Sequence, residues 1–154
     1  MTEVRFTGIV PFPREAVFDS FIDLRNWVHF SPGVESIDDV EGWGAPRGRC
    51  RVTIRVLGRR RIADCEMTEI QRPLQFRYLA GVEGQPTSTH DCRFTDAPDG
   101  TRVDISTRWD ARHGVVGLFD RFPVRWALKR MLNRSMSSFA AMMAQRRGWE
   151  SGSP

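Results

Sequence analysis

Alternation of apolar and polar side chains sets the first element. Glu3-Val-Arg-Phe-Thr-Gly-Ile-Val10 places Val4 and Phe6 on one face and Arg5 and Thr7 on the other, the period of a half-buried strand. Pro11 and Pro13 stop it, and Pro13 suits the first turn of a helix. The period then changes. Val17, Phe18, Phe21 and Ile22 fall at helical spacing within 14–22, and Leu24, Trp27 and Phe30 within 24–30, before Ser31-Pro32-Gly33 ends the run. From Val34 to Ala111 the pattern returns to alternation. Breaks at Gly42–Pro46, Gly58–Arg60, Arg72-Pro73, Gly81–Gln85 and Ala97–Gly100 leave about six strands with short connections, which favours an antiparallel meander.

Strand parity assigns the faces. Cys50, Val52, Ile54, Val56, Ala63, Cys65, Met67, Phe76, Tyr78, His90, Cys92, Phe94, Val103, Ile105, Thr107 and Trp109 share the inward face. Arg51, Thr53, Arg55, Asp64, Glu66, Arg77, Asp91, Arg93, Arg102, Asp104 and Arg108 share the other. A sheet that is apolar on one side needs a cover. The stretch after His113-Gly114 supplies it: a helical pattern to about Arg147, interrupted near Pro123. There Leu128, Leu132, Ser135, Phe139 and Met142 form a stripe, with Val124, Met131, Met136 and Met143 beside it. Residues 1–147 therefore read as a single domain and 148–154 as a flexible C-terminal tail.

Composition narrows the class. The 154 residues are 40% hydrophobic and 27% charged, values of an ordinary globular domain that needs no metal or disulfide to build its core. No apolar run is long enough to span a membrane, and the opening residues do not read as a secretory signal, so a cytoplasmic protein is expected. Cys50, Cys65 and Cys92 are odd in number and far apart, which fits buried thiols better than a disulfide framework. With no C-x-x-C and three scattered histidines, no metal site and no cofactor are expected. Nucleotide-binding glycine loops and the common hydrolase motifs are missing too.

The net charge of +4 is local. Residues 1–107 hold 14 arginines against 16 acidic residues, whereas 108–147 hold eight arginines and Lys129 against Asp110 and Asp120. Arg121, Arg125 and Lys129, four apart, make one stripe on the closing helix. Transient contact with an anionic membrane is the partner this stripe fits. Nucleic acid is the poorer fit: no binding motif accompanies the charge, and Trp27, Trp43, Trp109 and Trp126 are expected to pack in the core or at its rim. Arg59-Arg60-Arg61, after Gly58, is expected at an exposed hairpin tip.

Four stretches stand out within the order strand, two short helices, six strands and a long helix. They are Pro13-x-Glu15-x-Val17-Phe18-Asp19 and Asp23-x-x-Asn26-Trp27-x-x-Phe30-Ser31-Pro32-Gly33-Val34. They continue in Cys65-Glu66-Met67-Thr68-Glu69-Ile70-x-x-Pro73 with Phe76, and in Phe94-x-Asp96-x-x-Asp99-Gly100-Thr101-x-Val103. On these residues and this order the sequence resembles the START-like (SRPBCC, Bet v 1-like) superfamily, in particular its bacterial polyketide cyclase/dehydrase and lipid-transport branch. The resemblance implies an α+β helix-grip fold: a curved seven-stranded antiparallel sheet wrapped around a long C-terminal helix, with an internal hydrophobic cavity. It implies a hydrophobic small-molecule ligand and leaves open a carrier, a receptor or a cyclase.

Combining that cavity with strand and helix phase, the expected lining is Trp27, Val52, Ile54, Tyr78, His90, Cys92, Ile105, Thr107, Trp109, Leu128, Leu132, Ser135 and Phe139. The first reading is a protein, monomer or homodimer, that binds a lipid or polyketide-like molecule. The alternative is an aromatase/cyclase or dehydratase acting on a poly-β-ketone, with His90 as general base and Tyr78 or Thr107 donating to the enolate oxygen. Glu69 shares parity with Met67, but it lies near the Pro73 strand end, where a bulge would turn it outward. No inward arginine of the kind found in the aromatase/cyclases is present on the sheet.

Overall fold

The computed structural model describes residues 1–31, 33–56, 58–110 and 115–151, and in the long C-terminal helix the side chains of 126, 127 and 129–146. Leu128, Arg121 and Arg125, named above for the cavity and the basic stripe, lie outside the described side chains, as do Val56 and Val124. The elements run β1 (Thr2–Val10), α1 (Arg14–Ile22), α2 (Leu24–Phe30), β2 (Val34–Glu41), β3 (Arg49–Val56), β4 (Arg59–Gln71), β5 (Gln75–Val82), β6 (Ser88–Ala97), β7 (Gly100–Trp109) and α3 (Val115–Ser151). All seven strands form one antiparallel sheet in the order β1-β7-β6-β5-β4-β3-β2.

The sheet is a meander from β2 to β7, closed at one edge by β1. Strand β1 reaches that edge because the two short helices carry the chain across to β2 on the far side. Helix α3 packs against α2 and β1 and covers the apolar face. Parity holds along the strands. Val52, Ala63, Cys65, Met67, Phe76, Cys92, Phe94, Val103 and Ile105 are buried. The opposite face carries ion pairs between directly opposed residues, Arg51 with Asp64, Arg49 with Glu66 and Arg77 with Asp91. Exposed pairs of this kind contribute little each, about 0.2–1 kcal/mol, but they fix the register that keeps the apolar set inward.

The aromatic core sits where α1, α2 and α3 meet the sheet. Phe18 packs edge-on to Phe76 and Phe94, and Phe21 touches Phe30, Phe76, Phe94 and Phe139 at centroid distances of 5.2–6.2 Å. Asn26 is the polar pin of this corner. It is 1% exposed, donates through Nδ2 to the Ser20 carbonyl at 2.8 Å and accepts from Arg146 of α3.

Three local expectations change. Helix α3 is continuous across Pro123 and runs to Ser151, past the boundary placed at Arg147. A proline removes one backbone donor from a helix but ends it only where the following residues gain nothing by staying helical. Here the residues beyond it supply the buried stripe Ser135, Met136, Phe139 and Met143. Trp126, expected in the core or at its rim, is 61% exposed on the outer face of α3, with the Arg130 guanidinium 5.2 Å above its ring. Phe139, expected to line the cavity, is fully buried in the aromatic core against Phe21 and Phe30. Its place on the inward stripe is right, but the helix is close-packed at that level and leaves no space to line.

Candidate functional site

Between the sheet and α3 lies a cavity of about 290 Å³. Its walls come from six strands and three helices, each contributing between one and three residues. Strands β3 and β4 give Val52, Ile54, Ala63 and Cys65; β5 gives Tyr78, Ala80 and Val82; β6 and β7 give Ser88, His90, Cys92, Ile105, Thr107 and Trp109. Helix α2 gives Trp27 and Phe30, α3 gives Met131, Leu132 and Ser135, and Phe21, Ser31, Val34, Gln85 and Pro86 complete the enclosure. Trp27, Val52, Ile54, Tyr78, His90, Cys92, Ile105, Thr107, Trp109, Leu132 and Ser135 are thus brought together as their phase requires.

Several lining residues lie outside the expected set. Ala63 and Cys65 lie opposite Val52 and Cys50 in the β3–β4 register, and the same inward parity would have nominated them. Gln85 and Pro86 lie in the β5–β6 turn, where no periodicity applies. Met131 is placed by Gly33: a Cβ at that glycine would come within 3.0 Å of the Met131 sulfur, so glycine lets the turn before β2 approach α3 at the rim.

The polar groups form a short chain. The His90 ring stacks on Tyr78 with centroids 4.6 Å apart and planes 5° from parallel. Its Nδ1 is 3.1 Å from Thr107 Oγ1 and its Nε2 is 2.9 Å from Ser88 Oγ. Ser88 Oγ in turn donates to the Ala80 carbonyl at 3.3 Å. Since Ser88 has one proton and gives it to the carbonyl, the assignment using every contact puts the imidazole proton on Nε2. Thr107 then donates to Nδ1. Burial lowers the His90 pKa to about 4, so the ring is neutral at pH 7. Burial also raises the Tyr78 hydroxyl well above its ordinary value and pushes the Cys92 thiol up, while the Cys65 thiol is raised first by its hydrogen bond with Cys50 and then by burial, which keeps all three protonated.

The indole N–H groups differ among themselves. Trp27 donates to the Phe21 carbonyl at 2.8 Å and Trp43 to the Ile22 carbonyl at 3.1 Å, so both are spent on positioning α1 and α2. Among the described residues neither the Tyr78 hydroxyl nor the Trp109 indole has a hydrogen-bond partner. Glu69 is outside. A register shift between Met67 and Glu69 in β4 turns it to the outer face, where it pairs with Arg77 and accepts from Gln75. No arginine, lysine or carboxylate is among the described residues of the cavity wall. A second hollow, about 540 Å³, lies over β2–β4, but its arginines are committed to its own carboxylates, Arg51 to Asp39 and Asp64 and Arg49 to Glu66. No group of residues able to hold a metal ion occurs among the described residues.

Solved structures share this architecture at low sequence identity. The Zhui aromatase/cyclase from Streptomyces sp. R1128 superposes with a TM-score of 0.81 at 14% identity, covering 99% of each chain. TTHA0849 from Thermus thermophilus gives 0.78 at 20% identity, over 99% of this chain and 100% of that one. A START superfamily protein from Mycobacterium smegmatis gives 0.75 at 13% identity, over 93% and 97%. Among curated proteins none matches the sequence. The family described as polyketide cyclase / dehydrase and lipid transport matches residues 1–144, nearly the whole helix-grip domain, and the chain belongs to that family.

Proposed function

We propose that the protein binds one hydrophobic small molecule, lipid or polyketide-like, in the cavity under α3 and acts as its carrier or ligand-binding protein. The observation that carries this reading is the wall itself. It is built mainly of apolar and aromatic side chains, and its histidine is neutral with both ring nitrogens already hydrogen-bonded. The cyclase or dehydratase alternative, with His90 as base, has less support. A general base needs a free lone pair and a pKa near the working pH, whereas Nδ1 here is occupied by Thr107 and burial makes the ring a weak base. We further infer that such a carrier collects cargo at an anionic bilayer, docking through the outer face of α3, where Lys129, Arg130 and Arg134 are exposed beside Trp126.

Native mass spectrometry of protein purified without organic solvent tests the main reading. The expected spectrum shows a fraction of the protein carrying one small apolar molecule, lost on mild activation and absent after Ala80→Trp fills the cavity. Protein that is uniformly empty, and stays empty after incubation with mixed lipids and aromatic ketones, would sink it.

A further inference from the structure

The cavity's hydrogen-bonding inventory includes one fixed, unspent donor, the Tyr78 hydroxyl, and this selects among hydrophobic ligands. Resting on the binding function proposed above, we propose that the preferred ligand is electrically neutral and presents a hydrogen-bond acceptor, a ketone, ether or hydroxyl oxygen, to the hydroxyl of Tyr78.

Three observations converge on this. Tyr78 lines the cavity, and its ring is clamped by His90 at 4.6 Å, Trp27 at 5.6 Å and Trp43 at 5.8 Å, so its orientation is fixed before a ligand arrives. Its hydroxyl meets no partner among the described residues, although a tyrosine hydroxyl in an apolar surround usually finds one. None of the neighbouring polar groups is that partner: Thr107, His90, Ser88 and the Ala80 carbonyl bond to one another, and none of them bonds to the Tyr78 hydroxyl. Burial keeps the phenol protonated, so what it offers is a donor.

The same inventory disfavours an anion. A carboxylate in this cavity would leave water without meeting a cation, since the described wall has no lysine or arginine and His90 is neutral. The many arginines of the sheet are on its other face, tied to Asp64, Asp91 and Glu35. A plain hydrocarbon would fill the space but leave the Tyr78 hydroxyl unpaired in an apolar surround.

Three probes on one ring system separate these cases: 2-acetylnaphthalene, 2-isopropenylnaphthalene and 2-naphthoic acid, with affinities measured calorimetrically at pH 7. The ketone is expected to bind about two- to tenfold more tightly than the hydrocarbon, the range of one net hydrogen bond. The acid is expected to bind at least about tenfold more weakly than the ketone. In Tyr78→Phe, which keeps the ring and its stacking, the advantage of ketone over hydrocarbon should vanish while hydrocarbon affinity stays within about twofold. Equal ketone and hydrocarbon affinities in the wild type, an unchanged ketone preference in Tyr78→Phe, or tightest binding of the acid would each overturn the proposal. Failure of all three probes, together with an empty cavity in the mass measurement, would instead overturn the binding reading on which it rests.

Discussion

His90 is held between two hydroxyls under a tyrosine ring, and that setting makes it a sensor of acid. Its folded pKa of about 4 lies below the ordinary 6.5, so the unfolded chain takes up the proton first as pH falls. The unfolded state binds more protons between about pH 6.5 and 4, and stability drops through that window; above it, none of this loss remains. The full shift corresponds to at most about 3 kcal/mol. Asp23 and Glu35, whose pKa values are lowered first of all by hydrogen bonds from Arg25 and Arg55, lose their support at still lower pH. They do so equally in a protein lacking the imidazole. Urea unfolding of wild type and His90→Gln at pH 7 and pH 4.5 isolates the effect. On acidification the wild type is expected to lose at least about 1 kcal/mol more stability than His90→Gln does. Parallel losses would show that the ring protonates as easily folded as unfolded.

At the level of elements, the sequence was readable wherever one face of a strand or helix meets the core. Alternation set the inward faces of β3 to β7, and Val52, Cys92, Ile105 and Thr107 converge on the cavity as phase requires. Phase does not report depth. Phe139 and Leu132 lie on the same stripe, yet one is sealed in the aromatic cluster and the other borders open space. Single polar pins are similarly opaque, because their value lies in partners distant along the chain. Asn26 is such a pin, joining α2 to the end of α1 through Ser20 and to α3 through Arg146, 120 residues away. Asn26→Leu keeps the volume but leaves the Ser20 carbonyl and the Arg146 guanidinium unmatched. A loss of about 2–4 kcal/mol is expected in chemical denaturation. Asn26→Asp, which can still accept from Arg146, should recover part of it. A change below about 0.5 kcal/mol in Asn26→Leu would mean that apolar packing alone holds the corner.

For the molecule as a whole, the useful relation is between the two faces of α3. Met131, Leu132 and Ser135 border the cavity, while Lys129, Arg130 and Arg134 are exposed with Trp126 in the same turns. From Arg121 to Trp149 the sequence contains no acidic residue, so Asp120 and Glu150, near the ends of the helix, are the acidic residues set against its cations. A cation close to an anionic bilayer gains about 1 kcal/mol, and an exposed indole suits the interface between headgroups and tails. Docking by this face would bring the rim of an apolar chamber to the membrane that supplies its cargo. Co-sedimentation with vesicles of phosphatidylcholine and phosphatidylglycerol, compared with phosphatidylcholine alone, tests the arrangement. Retention is expected only on the anionic vesicles, with release in about 0.5 M salt, where screening shortens to a few ångströms. Reversing the charges in Lys129→Glu, Arg130→Glu and Arg134→Glu together should lower retention at least about tenfold while leaving the affinity for 2-acetylnaphthalene unchanged. Equal retention on neutral vesicles, or indifference to the triple reversal, would detach the basic face from membranes. Preferential capture of the wild type by RNA over anionic vesicles would assign it to nucleic acid, a partner that the exposure of Trp126 makes available for base stacking.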